Sequence, residues 1–438
     1  MGKNKFLFLK ILFFLMSSLI SYGKNIKLDD MLKTLEEKSY EREIFDLEQK
    51  KNLSKEKYYN LDNYNGVKGE ISTDYDYEEY KIKSNGRVSY GDFYLDLSKD
   101  KINSQKNSDT DVIIGVNKSL KDMFYSKSDS EIKKLEYSKK NTEYSYYDDL
   151  ETKKISLINL YEEYKNNEFE IKLKTNNLTR LKSEEKILKK SYELGATPKI
   201  DLDTLQTSRN NLEIELKYLK ENIKKIKNRF LYEFGIDISK DELMDIEIPK
   251  VNISDFISNI GERKISRLGL EKEITKENIK YLKYSNKVPE VLVGVEHQER
   301  NNGYSDENRV FLKLSKDIFY YDINLENEKI TLNQQEINIQ KEKEINISKK
   351  LEVEENCNNL YKNYLVNKNK AELEKNKYEI INLKYKLGDV TYVDVMDVFD
   401  DYLNYQVAAE KAKNLFNGYI YEILVRGEKK LWIKIKRQ

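Results

Sequence analysis

The chain has few of the residues on which most catalytic and metal sites depend. Of its 438 residues, one is a cysteine and one is a histidine, so neither a disulfide within the chain nor a histidine cluster for zinc can form. Lys and Arg (78) nearly balance Asp and Glu (77), which argues against the overall basic charge typical of nucleic-acid-binding proteins. We therefore expect no enzyme, no metal, no cofactor and no nucleic-acid partner. Cys357 is interpreted as a buried or half-buried structural thiol, and His297 as an exposed residue at the end of a loop.

Proline is also scarce, and each proline lies where the sequence pattern changes. Pro198 and Pro249 separate charged segments, and Pro289 precedes a segment of alternating polarity. Because proline interrupts helix interiors, the three positions mark predicted boundaries between elements.

Long uncharged apolar runs are missing after the amino terminus. There, Lys3 and Lys5 precede the apolar stretch 6–20, and Ser21-Tyr22-Gly23 offers a cleavage site. The apolar stretch is shorter than the roughly 20 residues that a spanning helix needs, so residues 1–23 are predicted to be a secretory signal peptide. The mature chain is then expected outside the cytoplasm, and it would enter a membrane only with strands.

Heptad spacing is present in abundance. Apolar residues recur every seven positions in segments that are otherwise highly charged, and this spacing packs helices against helices as coiled coils. The positions are Leu150, Leu157, Tyr164, Ile171 and Leu178, then Leu205, Leu212, Leu219 and Ile226, and later Val395, Tyr402, Ala409 and Phe416. The sequence predicts two long helical hairpins.

The turn of each predicted hairpin has the same pattern. "YELGATPKIDLDTLQ" begins at Tyr192 and "YKLGDVTYVDVMDV" begins at Tyr385, an offset of 193 residues. Gly195 and Gly388 are expected at helix ends in the left-handed conformation, and Asp201 and Asp394 at the start of the following helices. The chain is therefore interpreted as a tandem duplication.

Before each long helix the sequence alternates with a period of two, as strands do. Residues 288–316 predict a β-hairpin with one apolar face. Residues 66–120 predict either two long strands or four strands with an extra turn at Gly91-Asp92. The predicted organisation is a first repeat at 24–238, a linker at 239–255, a second repeat at 256–425 and a basic tail at 426–438.

These features together resemble the TolC-like outer-membrane efflux proteins. The resemblance rests on the signal peptide, the duplicated layout, the paired turns and "LKLSKDIFYYD" after the last strand. It implies a mainly α fold with β-strands, in which long helical hairpins form a periplasmic tunnel and β-hairpins contribute to a trimeric outer-membrane β-barrel. In that family each protomer gives four strands to a barrel of twelve. The implied partners are two further copies, a periplasmic adaptor protein, an inner-membrane transporter and outer-membrane lipid.

The resemblance also suggests site residues. Asp394 and Asp397 lie three positions apart on one helical face, and acids at matching positions form the periplasmic gate of the family. Asp201 and Tyr385 match residues that latch the closed state. The tips expected to meet the adaptor are Leu194, Gly195, Ala196, Thr197, Leu387, Gly388, Asp389 and Val390.

Two positions depart from the family pattern: Val390 stands where an arginine is expected, and Ile200 where a small hydroxyl residue is expected. Both departures weaken the salt-bridge latch. The expected function is an exit duct for efflux or type I secretion. The alternative is a secreted coiled-coil scaffold or adhesin without transport activity. The cargo and the class of pump are left open.

Overall fold

The computed structural model describes residues 25–78, 81–102, 109–301, 305–318 and 320–428. The predicted signal peptide lies outside these residues, as does most of the predicted basic tail. Nine α-helices occur in the described chain: α1 (Leu28–Lys38), α2 (Tyr40–Leu61), α3 (Leu120–Phe124), α4 (Lys127–Glu193), α5 (Lys199–Phe234), α6 (Ile253–Ile257), α7 (Glu262–Lys287), α8 (Ile323–Leu387) and α9 (Tyr392–Arg426). None of these helices has a segment that is both long and apolar enough to cross a membrane.

In the same described ranges, eight strands form two sheets. They are β1 (Asn25–Ile26), β2 (Lys68–Asp76), β3 (Lys81–Tyr90), β4 (Phe93–Ile102), β5 (Asp109–Ser119), β6 (Glu242–Leu243), β7 (Glu290–Arg300) and β8 (Glu307–Ser315). The described residues divide into two compact units. The first takes the described residues 25–43, 146–262 and 345–428, and the second takes those within 44–145 and 263–344.

The core of the first unit follows the heptad pattern. Side chains at the predicted positions are at most 2% exposed at Leu150, Leu157, Leu205, Ile226 and Val395. Each such burial contributes about 2 kcal/mol from the hydrophobic effect, whereas most of the charged residues between them are not buried, with Lys154 and Glu162 as buried exceptions. The apolar seam therefore holds long helices together although the chain is 35% charged.

The amino-terminal strand is fixed in the same unit. β1 pairs in parallel with β6, so Asn25 lies opposite Glu242 and Ile26 opposite Leu243. The fully buried Tyr161 of α4 places its hydroxyl 2.6 Å from the carbonyl oxygen of Met244 and 3.1 Å from that of Ile26. A buried phenol needs such an acceptor, and here it also links both strands to the longest helix.

The second unit contains an antiparallel sheet in the order β2-β3-β4-β5-β7-β8. Its first four strands confirm the four-strand alternative for residues 66–120, and the chain reverses between β3 and β4 at Gly91-Asp92, where Gly91 has φ 59°. The described sheet thus has six strands, two more than the four per protomer that the resemblance implies for the barrel, and the number of strands that enter the barrel stays a prediction. The additional hairpin is β2–β3, which the turn at Gly91-Asp92 connects to β4. Glycine permits this tight turn because it readily adopts the left-handed conformation.

Two isolated residues were also predicted from sequence. Cys357 is half-buried, as predicted, and lies against the cluster of Ile257, Ile260, Val353 and Ile423. His297 is not at a loop end: it lies within β7, with Nδ1 2.8 Å from Oδ1 of Asn308 on β8. The strand extends past His297 because its backbone pairs with both neighbouring strands.

Candidate functional site

The two hairpin turns have the same backbone geometry. After α4, Gly195 has φ 74°, and the N–H of Ala196 donates to the carbonyl of Ser191 at 2.9 Å. After α8, Gly388 has φ 83°, and the N–H of Asp389 donates to the carbonyl of Lys384 at 3.0 Å. This bond from the second residue beyond the helix, with a left-handed glycine, is the Schellman motif. The duplicated sequence therefore produces a duplicated turn.

The predicted tips are accessible in the first unit. Leu194 is 84% exposed and Leu387 is 77% exposed, although both are large apolar residues. A Cβ built at Gly195 or Gly388 would meet no described atom within 4 Å. Glycine is needed there for the positive φ, and the space beside it is open.

Asp394, the third residue of α9, belongs to the capping box at the start of that helix. Its Oδ2 accepts hydrogen bonds from the backbone N–H and the hydroxyl of Thr391, at 2.9 and 2.6 Å, and its own N–H donates to that hydroxyl at 3.2 Å. These bonds from Thr391, first from its side chain and then from its backbone, lower the pKa of Asp394. Asp394 is exposed and stays charged.

Asp201 holds the equivalent position in α5 but has a different environment. The cap residue is Pro198, which has no side-chain hydrogen bond to the helix, and Asp201 is buried at 6% exposure. Burial, and then the charge of Asp394, raise the pKa of Asp201. The two equivalent acids therefore lie within electrostatic reach of each other. The charged form is stabilised for Asp394 and disfavoured for Asp201.

The remaining predicted residues separate into two groups. Tyr385 is half-buried, and its pKa is raised by burial and then by the charges of Asp201 and Glu184, which places it beside the predicted latch acid. Asp397 is exposed and acts on a different residue: its charge contributes, after burial, to the raised pKa of Asp400. Asp394 and Asp397 are thus both exposed and lie three positions apart on α9, whereas Asp201 is buried and Tyr385 is half-buried.

A network that sequence reasoning missed lies behind the turns. Tyr392, 2% exposed, donates a 2.6 Å hydrogen bond to Oε2 of Glu184, and Arg180 donates a 2.8 Å bond to Oε1 of the same carboxylate. The guanidinium carbon of Arg180 lies 3.7 Å from the ring centroid of Phe399, a cation–π contact. Arg180 and Glu184 form one of many i,i+4 charge pairs in the sequence, so no pattern singled them out.

The six-stranded sheet has two chemically different faces. One face carries exposed apolar side chains on each of the six strands, among them Ile71 (86% exposed), Ile114 (58%), Val295 (56%) and Val310 (77%). Strand register brings these residues to the same side, since Val295 lies opposite both Val116 and Val310. Exposed apolar surface of this extent marks contact with a membrane or another protein.

The opposite face is polar and rich in ion pairs. Tyr94 donates a 2.7 Å hydrogen bond to Glu296, which also pairs with Arg309 of the next strand. Arg87 pairs with Asp96 at 3.2 Å. In the described part of the chain, no group of three or more His, Cys, Asp or Glu side chains is placed to hold a metal ion.

Comparison with known proteins shows similarity at the level of the fold. No family model and no curated protein matches the chain. Among solved structures, CusC, which forms a transmembrane channel, covers 93% of this chain and 95% of its own with a TM-score of 0.71 and 10% identity. The outer membrane protein VceC of Vibrio cholerae gives a TM-score of 0.64 at 12% identity, covering 91% of this chain and 96% of its own.

The CmeC outer membrane channel of Campylobacter jejuni covers 91% of this chain and 85% of its own, with a TM-score of 0.65 and 12% identity. The likeness extends over both the helices and the sheet, because more than nine-tenths of the chain is matched. The chain therefore has the fold of the TolC-like outer-membrane channels, as the paired turns and the order of elements predicted.

Proposed function

We propose that the chain is the outer-membrane exit duct of a tripartite efflux or type I secretion system. The observation that carries the proposal is the exposed apolar face shared by all six strands of the sheet, in a chain whose fold matches membrane channel structures over more than nine-tenths of its length. The matched proteins are channels, which supports a function without catalysis.

The apolar face fits the outer membrane as its surroundings. Side chains that alternate between apolar and polar along each strand are the signature of barrels whose outer side faces lipid and whose inner side faces water. Val310, Leu312 and Leu314 of β8 are each more than 60% exposed, which would be costly in water. The ion pairs of the opposite face would line an aqueous lumen.

A homotrimer follows from the sheet and from the resemblance. Six strands from one chain cannot close a barrel, which needs about eight or more. Three copies would close it, and their helical hairpins would form the tunnel wall in the periplasm. The predicted repeat boundaries, signal peptide and carboxyl-terminal tail belong to this proposal.

The hairpin turns are proposed as the periplasmic mouth. Asp394 and Asp397 are exposed on one face of α9, so threefold symmetry would gather six carboxylates around the axis as a cation-selective gate. Asp201 and Tyr385, buried and half-buried behind them, would act in the latch. The exposed tips at 194–197 and 387–390 would dock on a periplasmic adaptor that leads to an inner-membrane transporter.

Membrane fractionation followed by electron microscopy tests the proposal. The protein should remain with outer membranes after a high-salt and carbonate wash, require detergent for extraction, and appear as threefold particles with a barrel joined to a tube. Purified protein in planar bilayers should conduct ions. A protein released by the wash and monodisperse without detergent would instead identify the coiled-coil scaffold or adhesin.

A further inference from the structure

The sheet has an even number of strands and two free edges. Within the described residues the edge strands are β2 and β8, nine residues each, and every neighbouring pair between them is antiparallel. Strand directions therefore alternate from β2 to β8, so the two edges run in opposite directions. A second copy placed beside the first can continue the same antiparallel pattern with its β2 against β8.

Resting on the proposed trimeric duct, we propose that β8 of each copy pairs with β2 of the next, so that three copies close a barrel of eighteen strands. The barrel is then wider than one built from four strands of each copy. With strands about 4.8 Å apart and tilted by about 40°, the radius to the backbone is about 18 Å, against about 12 Å for twelve strands.

The extra hairpin is an integral part of the sheet. Every residue of β2 has a partner on β3, and β3 pairs with β4 along its whole length. Apolar residues of β2 and β3 lie on the same side as those of β4, since Val88 lies opposite Leu95, and Ile71 opposite Gly86. The hairpin thus presents an apolar and a polar face in phase with the rest of the sheet.

Side chains fix the turn at Gly91-Asp92, which connects the β2–β3 hairpin to β4. Asp92 accepts hydrogen bonds through Oδ2 from the hydroxyl of Tyr64 and from Nζ of Lys118, both at 2.7 Å. Its carbonyl accepts from the N–H of Asn117 at 2.9 Å. A Cβ at Gly91 would lie 2.1 Å from Cε1 of Tyr64, so the aromatic ring closes over the glycine. These contacts hold β3 and β4 against β5.

Strand length and side-chain pairing together favour one register between copies. Keeping the apolar faces together requires an odd-numbered residue of β2 opposite an even-numbered residue of β8. When the two strands are level at the end nearer the helices, Ile71 lies opposite Leu312, Glu70 opposite Lys313, and Asp74 opposite Arg309. Opposite charges across strands are favourable by about 0.2–1 kcal/mol. This register also sets Asp76 opposite Glu307, but it alone pairs all nine residues of both strands. A slip of two residues in one direction loses two of these pairings and sets Asp74 against Glu307, and a slip in the other direction loses two pairings and keeps one pair of opposite charges.

Cysteine crosslinking tests the pairing. In a Cys357→Ala background, Ile71→Cys combined with Leu312→Cys should give covalent dimers and trimers on oxidation in the membrane, with at least a tenfold higher yield than Ile71→Cys combined with Leu314→Cys. The pair Leu97→Cys with Leu312→Cys tests the alternative arrangement, in which β8 of one copy lies beside β4 of the next. That pair should form no intermolecular crosslink.

The outcomes separate the two proposals. Trimeric membrane particles with a crosslink at Leu97 and none at Ile71 would overturn the eighteen-stranded barrel while leaving the duct intact, with the β2–β3 hairpin outside the barrel. If the unmutated protein neither forms trimers nor associates with membranes, the proposal of a duct is itself overturned. Electron microscopy in lipid nanodiscs provides an independent strand count, and twelve strands would contradict the inference.

Discussion

Tyr392, the first residue of α9, donates a 2.6 Å hydrogen bond to Glu184 of α4. The bond joins the second helical hairpin to the first, and burial, followed by this bond, raises the pKa of Tyr392 well above its usual value. Arg180 holds the other carboxylate oxygen of Glu184 and covers Phe399. The turns are therefore connected by a hydroxyl, a carboxylate and a guanidinium, which can replace the salt-bridge latch that Val390 and Ile200 do not provide.

Tyr392→Phe tests this connection. Removal of the hydroxyl should destabilise the closed mouth by about 1 kcal/mol, the usual net value of a hydrogen bond, somewhat more for a charged acceptor, while the ring keeps its packing. Planar-bilayer recordings should show a rise of about fivefold or more in open probability. Tyr192→Phe, at an exposed position of the first turn, is the control and should behave as the unmutated channel. Equal gating in both variants would contradict the latch.

Neutralising the candidate gate should change ion selectivity. Asp394→Asn combined with Asp397→Asn removes all six carboxylates expected in the trimer, so cation selectivity and block by divalent cations should fall in bilayer recordings. Asp203→Asn, an exposed acid of the first repeat, is the control and should have little effect. Unchanged reversal potentials in the double variant would rule out Asp394 and Asp397 as the gate.

The capping box should make the selectivity of the proposed gate resistant to acid. Because hydrogen bonds from Thr391 lower the pKa of Asp394, its carboxylate stays ionised as the pH falls through the ordinary aspartate range. Thr391→Val removes the hydroxyl and should move the loss of selectivity to higher pH. The measurement is the reversal potential between pH 3 and 7, and a titration that matches the unmutated channel would count against this account.

Bulky residues at the turn glycines should disrupt docking to the adaptor. Gly195→Leu and Gly388→Leu meet no steric barrier within the protomer, but each forces a side chain into a positive φ, at about 1 kcal/mol or more per turn. We expect loss of crosslinks to the adaptor with the trimer intact. Gly269→Leu, in α7 with open space and no positive φ, is the matched control. Crosslinks that persist in both turn variants would place docking elsewhere.

A buried carboxylate should make stability depend on pH. Burial, and then the charge of Glu422, raise the pKa of Glu162 to about 8, and a Cβ at Gly418 would lie 1.4 Å from its Oε1. The folded state retains the proton up to about that pH, whereas the unfolded chain loses it near 4.5. The free energy of unfolding should therefore decrease as the pH rises from about 4.5 to 8.

Glu162→Gln replaces the titrating carboxyl by a neutral amide and should flatten the pH dependence of the free energy of unfolding. At pH 8.5 it should stabilise the protein by up to about 5 kcal/mol, since the pKa of Glu162 is raised from 4.5 to about 8 and one unit of pKa corresponds to about 1.4 kcal/mol. Glu163→Gln, at an exposed neighbouring position, is the control. Thermal unfolding at pH 5 and 8.5 measures the effect, and parallel curves for the unmutated and Glu162→Gln proteins would show that burial does not shift this group.

Much of the fold could be predicted because heptads and glycine turns are local signals. Leu157 and Leu205 are buried where a period of seven places them, and Gly195 and Gly388 adopt the positive φ that their position between helices requires. The number of strands could not be predicted. It depends on whether the chain reverses at Gly91, and Tyr64 and Lys118, which fix that turn, are distant in sequence and follow no periodic pattern.

The candidate site was less accessible to sequence reasoning for the same reason. Asp201 and Asp394 look equivalent in the two repeats, yet Pro198 and Thr391 give them opposite environments. Glu184 acquires its partner Tyr392 from a segment more than two hundred residues away. Contacts between the repeats depend on how helices pack, and an i,i+4 charge pair on one helix does not reveal them.

The short pairing of β1 with β6 sets an order of events in folding. Asn25 meets Glu242 only when more than two hundred residues have been made, and closing so long a loop costs entropy that later contacts must offset. β1 therefore stays unpaired until the first repeat and the following strand β6 have been synthesised. A chain truncated before residue 242 lacks Met244, one of the two backbone acceptors of the Tyr161 hydroxyl, and also lacks β6, which pairs with the segment that carries the other acceptor, Ile26.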